Sequence, residues 1–246
     1  MRYTDPYPNL EIIKFDNYTG YEFKNNSSDK LIIVLEGSAY YSTLGKKTKT
    51  RWKNAGLGYL LLQGLQNEYT IFIPEKLNWQ IGIDYFDDRD ERVKYTFDNL
   101  LKNYVYIINS YLASNNYASI VLAGGSEGAL LLPMVYQQLN NKNKVSLLVS
   151  ISGGGLSLHE GFEILSVSNI TPASWKRLYL HVIDLYKEPP YPDSLEEGFI
   201  GMTHRWWRSF VDVRPFDYYV NINIPVLFVH GEKDFRVSKE STKYVE

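Results

Sequence analysis

The chain contains no cysteine, which excludes disulfides, a thiolate nucleophile and thiolate metal sites. It has almost no charge imbalance: 26 Lys and Arg stand against 28 Asp and Glu, a net charge of -2. No basic footprint for nucleic acid exists at that balance. Apolar runs are short, far below the roughly 18 residues needed to cross a bilayer. The opening residues, MRYTDPYPNLEII, carry no apolar signal-peptide core. Internal repeats and low-complexity linkers are also lacking. The expectation is a cytoplasmic protein without nucleic-acid or membrane partners.

What is present is 246 residues, 44% hydrophobic and 22% charged, enough for one α/β domain with room for an inserted lid. Residues 11–23 read as two short strands around a turn at Gly20. Residues 31–35 (LIIVL) are a continuous apolar run of strand length, as buried strands are, and 36–45 read as a loop. Residues 52–66 are expected to be helical despite three glycines, and 69–73 (YTIFI) a strand stopped by Pro74. Residues 90–114 keep helical apolar spacing from Val93 to Leu112, predicting one long helix capped by Asp88 or Asp90. Strands follow at 118–123, 145–151 and 225–229, with a helix from Glu127 to about Leu139 that Pro133 should kink. Alternating strands and helices predict a mostly parallel, doubly wound sheet. Between 156 and 222 the alternation stops, and this stretch reads as a helical lid inserted between two sheet strands. Lys46, Lys47, Lys49, Arg51 and Lys53 form a basic run that reads as solvated surface.

The residues with the clearest chemistry are Gly124-Gly125-Ser126-Glu127-Gly128, a G-x-S-x-G pattern. The bare pattern arises by chance in roughly one chain of this length in twelve, so context decides. Here it follows an apolar strand (SIVLA) and opens an apolar helix (ALLLPMVYQQL), the arrangement that exposes a serine on a tight turn. The helix start turns its amides towards developing negative charge. The alternative is a glycine-rich turn with a capping serine.

In these segments the chain resembles the α/β-hydrolase superfamily, most of all its bacterial esterase, serine-peptidase and dienelactone-hydrolase-like members. LIIVLEGS, GGSEG, the lid stretch and INIPVLFVHGEKDFRV stand in the family's order from about residue 11 to the end. The resemblance implies Ser126 as nucleophile and Asp234, in His230-Gly231-Glu232-Lys233-Asp234, as the acid that orients a histidine. It implies an oxyanion hole from the amides of Glu127 and Ser38, with Gly37 giving close approach. It also implies a triad histidine beyond one further helix and strand after the acid, whereas the sequence given ends at Glu246. The expected fold is therefore an α/β-hydrolase sheet lacking its final strand and helix.

Glu36 and Glu127 suggest a negative site favouring cationic substrates, unless both side chains point away from the pocket. His159, Trp206 and Trp207 are candidate substrate contacts; the tryptophans read equally as lid packing, and His159 reads first as a lid residue. His230 reads as a strand-end residue supporting its turn. The implied reaction is hydrolysis of an ester, thioester or small amide or peptide bond, with a small-molecule ester or peptide as partner and no cofactor or metal. A non-catalytic or inactive truncated protein, or an acyltransferase on the same fold, remains open.

Overall fold

The computed structural model describes Tyr7 and residues 9–47, 52–53, 56–199 and 201–243. Most of the N-terminal segment, and Lys49 and Arg51 of the basic run, lie outside the described residues. In chain order the elements are β1 (Glu11–Phe15), β2 (Tyr18–Phe23), β3 (Lys30–Leu35), the short β4 (Lys46–Lys47) and β5 (Trp52–Lys53), α1 (Leu57–Leu65) and β6 (Thr70–Pro74). There follow α2 (Arg89–Lys94), α3 (Phe97–Ser114), β7 (Ser119–Gly125), α4 (Glu127–Gln138) and β8 (Val145–Ile151). The chain continues through α5 (Leu158–Val167), α6 (Ala173–Leu185), the β9 (Glu197–Phe199) and β10 (Met202–Thr203) pair, α7 (His204–Phe210), α8 (Phe216–Tyr219) and β11 (Val226–Val229).

Seven strands form one sheet in the order β1-β2-β6-β3-β7-β8-β11. The five from β6 to β11 are parallel, and β2 and β1 add antiparallel at one edge. Successive side chains of a strand point to opposite faces, and β3 shows the consequence. Leu31, Ile33 and Leu35 enter the larger core with α3 and α4, whereas Ile32 and Val34 enter a smaller one with Leu62 of α1. Burial of apolar side chains on both faces, at roughly 1.5–3 kcal/mol each, explains why β3 and β7 read as unbroken apolar runs. Their C-terminal ends at the middle of the sheet place two loops side by side, and α5 to α8 all lie between β8 and β11 in the chain.

Three sequence expectations need correction. The first turn lies at Asp16-Asn17, not at Gly20, and Asp16 adopts φ 51°, a left-handed conformation that a short polar side chain tolerates. Helix α1 begins only at Leu57, because residues 52–53 pair as a strand with β4. The helix expected over 90–114 is two helices broken at Tyr95-Thr96. Asp88 caps the first, accepting a hydrogen bond from the Glu91 amide. The break turns Tyr95 into the core, fully buried, while Val93, expected to face inward, is exposed. Pro133 lies buried inside α4. Among the described residues, no helix is long and apolar enough to cross a membrane.

Candidate active site

Ser126 sits between β7 and α4 with φ 52° and ψ -112°. A residue with a Cβ adopts such a backbone at a cost of order 1–3 kcal/mol, so the surroundings must impose it. They do so from both sides. The Ser126 amide donates to the Ile151 carbonyl of β8 at 2.9 Å, and the Ser126 carbonyl accepts from the amides of Ala129 and Leu130 at 2.9 and 3.1 Å. The flanking glycines permit this closeness. A Cβ on Gly124 would lie 2.4 Å from the Gly128 oxygen, and one on Gly128 would lie 2.1 Å from the Leu35 oxygen of β3. The result is an exposed serine surrounded by buried residues.

The loop after β3 approaches the same turn. A Cβ on Gly37 would stand 3.5 Å from both Ser126 Cβ and the Gly125 oxygen. Ser38 and Ser126 line one cavity of about 110 Å³, walled by Leu158, Phe162, Met202, Trp206, Trp207 and Val237, with Arg236 also on its wall. Glu127 is the first residue of α4, so its amide has no acceptor inside the helix. Trp206 and Trp207 also pack edge to face on each other, and Trp206 stacks on Phe210. Lining and packing are thus joint roles of one aromatic cluster. Leu158, Phe162, Met202, Arg236 and Val237 line the cavity without having been expected. They come from distant segments, and neither spacing nor motif links them.

Asp234 follows β11, whose parallel pairing with β8 brings it to the same edge of the sheet as Ser126. Its Oδ1 accepts from the amides of Arg236 and Val237 at 2.9 and 3.1 Å. Tyr179 of α6 anchors the turn by donating to the Phe235 carbonyl at 2.5 Å. His230 Nε2 lies 2.8 Å from the Val237 oxygen and 3.6 Å from Asp234 Oδ2, so it braces the turn. His159 lies in the first turn of α5, its amide donating to the Val211 carbonyl, and its ring does not line the Ser126 cavity. His204 pairs with the Tyr186 hydroxyl at 2.9 Å, and His181 is exposed on α6. Among the described residues, no histidine hydrogen-bonds to Ser126.

The two glutamates expected to create a negative pocket do something else. Glu36 Oε2 and Oε1 accept from the amides of Leu57 and Gly58 at 3.0 and 2.6 Å, capping α1. Burial raises its pKa, and the helix amides and Lys76 oppose that rise. The Glu127 carboxylate accepts from the Tyr95 hydroxyl at 2.8 Å and from Trp206 Nε1 at 2.8 Å. Burial raises its pKa too, against the attraction of Lys76. Both groups are almost wholly buried. The idea of a negative surface attracting cations is therefore corrected: these carboxylates face protein donors. Lys76 itself is buried, its pKa lowered by desolvation against the pull of Glu127, Glu75 and Glu36. The adjacent pair Glu75-Lys76 directly after an apolar strand was the one available signal for this cluster. Tyr95 had none, because it was hidden inside an apparent helix.

No protein-family model matches the sequence, and no curated protein matches it. Solved structures do match the fold. Est1E from Butyrivibrio proteoclasticus aligns with TM-score 0.58 at 16% identity, over 94% of this chain and 81% of that one. The proline iminopeptidase of Mycobacterium smegmatis aligns with TM-score 0.59 at 13% identity, over 96% and 85%. An α/β fold family hydrolase from Bacillus anthracis aligns with TM-score 0.55 at 11% identity, over 96% and 86%. At such identities the likeness is one of fold.

Proposed function

Because the chain has the α/β-hydrolase fold, we propose that it is a serine hydrolase acting on a small ester, thioester, amide or peptide bond. The observation that carries this reading is the Ser126 turn: a strained, exposed serine at a cavity, beside the amide that opens α4 and has no acceptor inside the helix. In the proposed reaction Ser126 Oγ attacks the substrate carbonyl while an imidazole removes its proton. The amides of Glu127 and Ser38 stabilise the oxyanion, the leaving group takes the proton, and water then cleaves the acyl-enzyme. Asp234 orients the imidazole. Segment 156–222 acts as a lid, a reading supported by the cavity walls it supplies, Trp206 and Trp207 among them. Those walls favour a compact apolar acyl group. Solved proteins of this fold named as an esterase and a proline iminopeptidase agree with the reaction class.

A second reading, a binding protein on the same fold, has one observation in its favour: among the described residues, no histidine hydrogen-bonds to Ser126. Reaction of the full natural protein with a fluorophosphonate, followed by peptide mapping, separates the two. The hydrolase reading expects an adduct on Ser126 and loss of ester hydrolysis in Ser126→Ala. A folded protein that takes no label favours the binding reading.

A further inference from the structure

Two amide donors on different elements can share one oxyanion only if their separation is fixed. Hydrogen bonds weaken steeply outside their normal range, and a misplacement of about 1 Å can cost roughly a hundredfold in rate. The Glu127 amide is set by the Ser126 turn. Ser38 sits on the loop between β3 and β4, outside the main sheet.

That loop is held by side chains from below. The Ala39 amide, next to Ser38, donates to the Tyr95 hydroxyl at 3.2 Å, and the Ala39 carbonyl accepts from Lys76 Nζ at 3.2 Å. The same Tyr95 hydroxyl donates to the Glu127 carboxylate, 2.8 and 3.0 Å from its two oxygens. The polarity is consistent, since a hydroxyl carries one proton to give and lone pairs to accept with. Burial raises the Tyr95 pKa far above its ordinary value, so that proton stays. Trp206 Nε1 secures the second Glu127 oxygen, and Lys76 supplies the counter-charge. The Tyr95 ring is fixed edge-on by Tyr40 and Trp79 at 5.2 Å each. Farther along the loop, Glu75 holds Ser42 and Thr43.

We infer that Tyr95 is a positioning residue: its hydroxyl ties the Ser38 loop to the Glu127 side chain and so sets the separation of the two oxyanion donors. This rests on the serine-hydrolase reading. The inference concerns what lies beneath the site, a tie between one donor's side chain and its partner's loop, and needs no substrate contact from Tyr95.

A matched control exists in the same core. Tyr104 of α3 is equally buried, yet its hydroxyl has no hydrogen-bond partner among the described residues. Tyr95→Phe and Tyr104→Phe therefore remove the same atom from the same kind of environment, one with the tie and one without. In the full natural protein, Tyr95→Phe should lower kcat about 10- to 100-fold with KM within about twofold. Affinity for a boronic acid that forms a tetrahedral adduct on Ser126 should fall by the same factor. Tyr104→Phe should leave all three within about twofold. Fluorophosphonate should still label Ser126 in both variants. If Tyr95→Phe matches Tyr104→Phe, or if its loss lies wholly in KM, the inference is overturned while the hydrolase reading stands. If wild-type Ser126 takes no label, the hydrolase reading fails and the inference with it. Should Tyr95→Phe not fold by near-ultraviolet circular dichroism, Glu127→Gln replaces it. That variant keeps one acceptor oxygen and loses the other, so kcat and boronate affinity should both fall several-fold; unchanged values overturn the inference.

Discussion

Ser126 and Asp234 both follow the C-terminal ends of parallel strands, yet their turns are held very differently. The Ser126 turn lies at the centre of the sheet, with β3 and β8 on either side and α4 packed at backbone distance. The Asp234 turn follows β11, the outermost strand on that side among the described residues, where Leu227 and Val229 are 50% and 43% exposed. A Cβ at Gly128 meets backbone at 2.1 Å, whereas one at Gly231 meets nothing closer than Asp234 Cβ at 3.8 Å. At the centre, backbone shape is dictated by packing from all sides. At the edge it rests on a few hydrogen bonds, three within the turn and one from α6: Asp234 Oδ1 accepts from two amides, His230 pairs with the Val237 oxygen, and Tyr179 donates to the Phe235 carbonyl. Strain can be stored where surroundings over-determine the chain, and the strained serine sits there.

The largest expected effect separates chemistry from support at the edge. Asp234→Asn keeps an oxygen for the two amides, so unfolding free energy should change by less than about 1 kcal/mol. On the serine-hydrolase reading proposed above, ester hydrolysis by the full natural protein should nevertheless fall by about 10⁴-fold, as loss of a triad acid does. Hydrolysis kept within tenfold would remove Asp234 from the triad. Next, Gly128→Ala should destabilise by about 3 kcal/mol or abolish folding, whereas Gly231→Ala should stay within about 0.5 kcal/mol in urea unfolding. Equal costs would end the contrast between centre and edge.

A smaller effect is expected from Glu36→Ala, which uncaps α1 and should cost about 1–2 kcal/mol, read from the urea midpoint. The smallest is a slope. Burial raises the Glu127 pKa above its ordinary 4.5, so the folded state holds this proton more tightly than the unfolded one. That contribution is fully present below the unfolded pKa and is lost as pH rises through the raised value. Glu127→Gln removes the titration, so its stability relative to wild type should improve as pH rises from about 4 to 7. A flat or opposite trend would show that Lys76 and the two donors outweigh burial.

The centre of the sheet was also the part most legible in the sequence. Strands buried on both faces are apolar throughout, so LIIVL, SIVLA and VSLLVSI announced β3, β7 and β8 within a residue or two. The G-x-S-x-G glycines stand where two pieces of backbone approach too closely for any Cβ, a constraint that leaves its mark as residue identity. Helix α1 and the break between α2 and α3 were misread because their signals are weak or misleading. Glycines blurred the start of one, and apolar spacing ran unbroken across the other.

Composition, strand pattern and the Gly-Ser-Glu-Gly turn were thus local properties, determined by the chain alone: burial on both faces demands apolar runs, and close backbone contact demands glycine. The tertiary structure alone decided what each polar side chain faces. Glu36 and Glu127 are adjacent to the site in sequence, yet one caps a helix 21 residues on and the other joins Tyr95 and Trp206. The partners of a buried charge come from wherever the fold brings donors within about 3 Å, and no local pattern records that meeting.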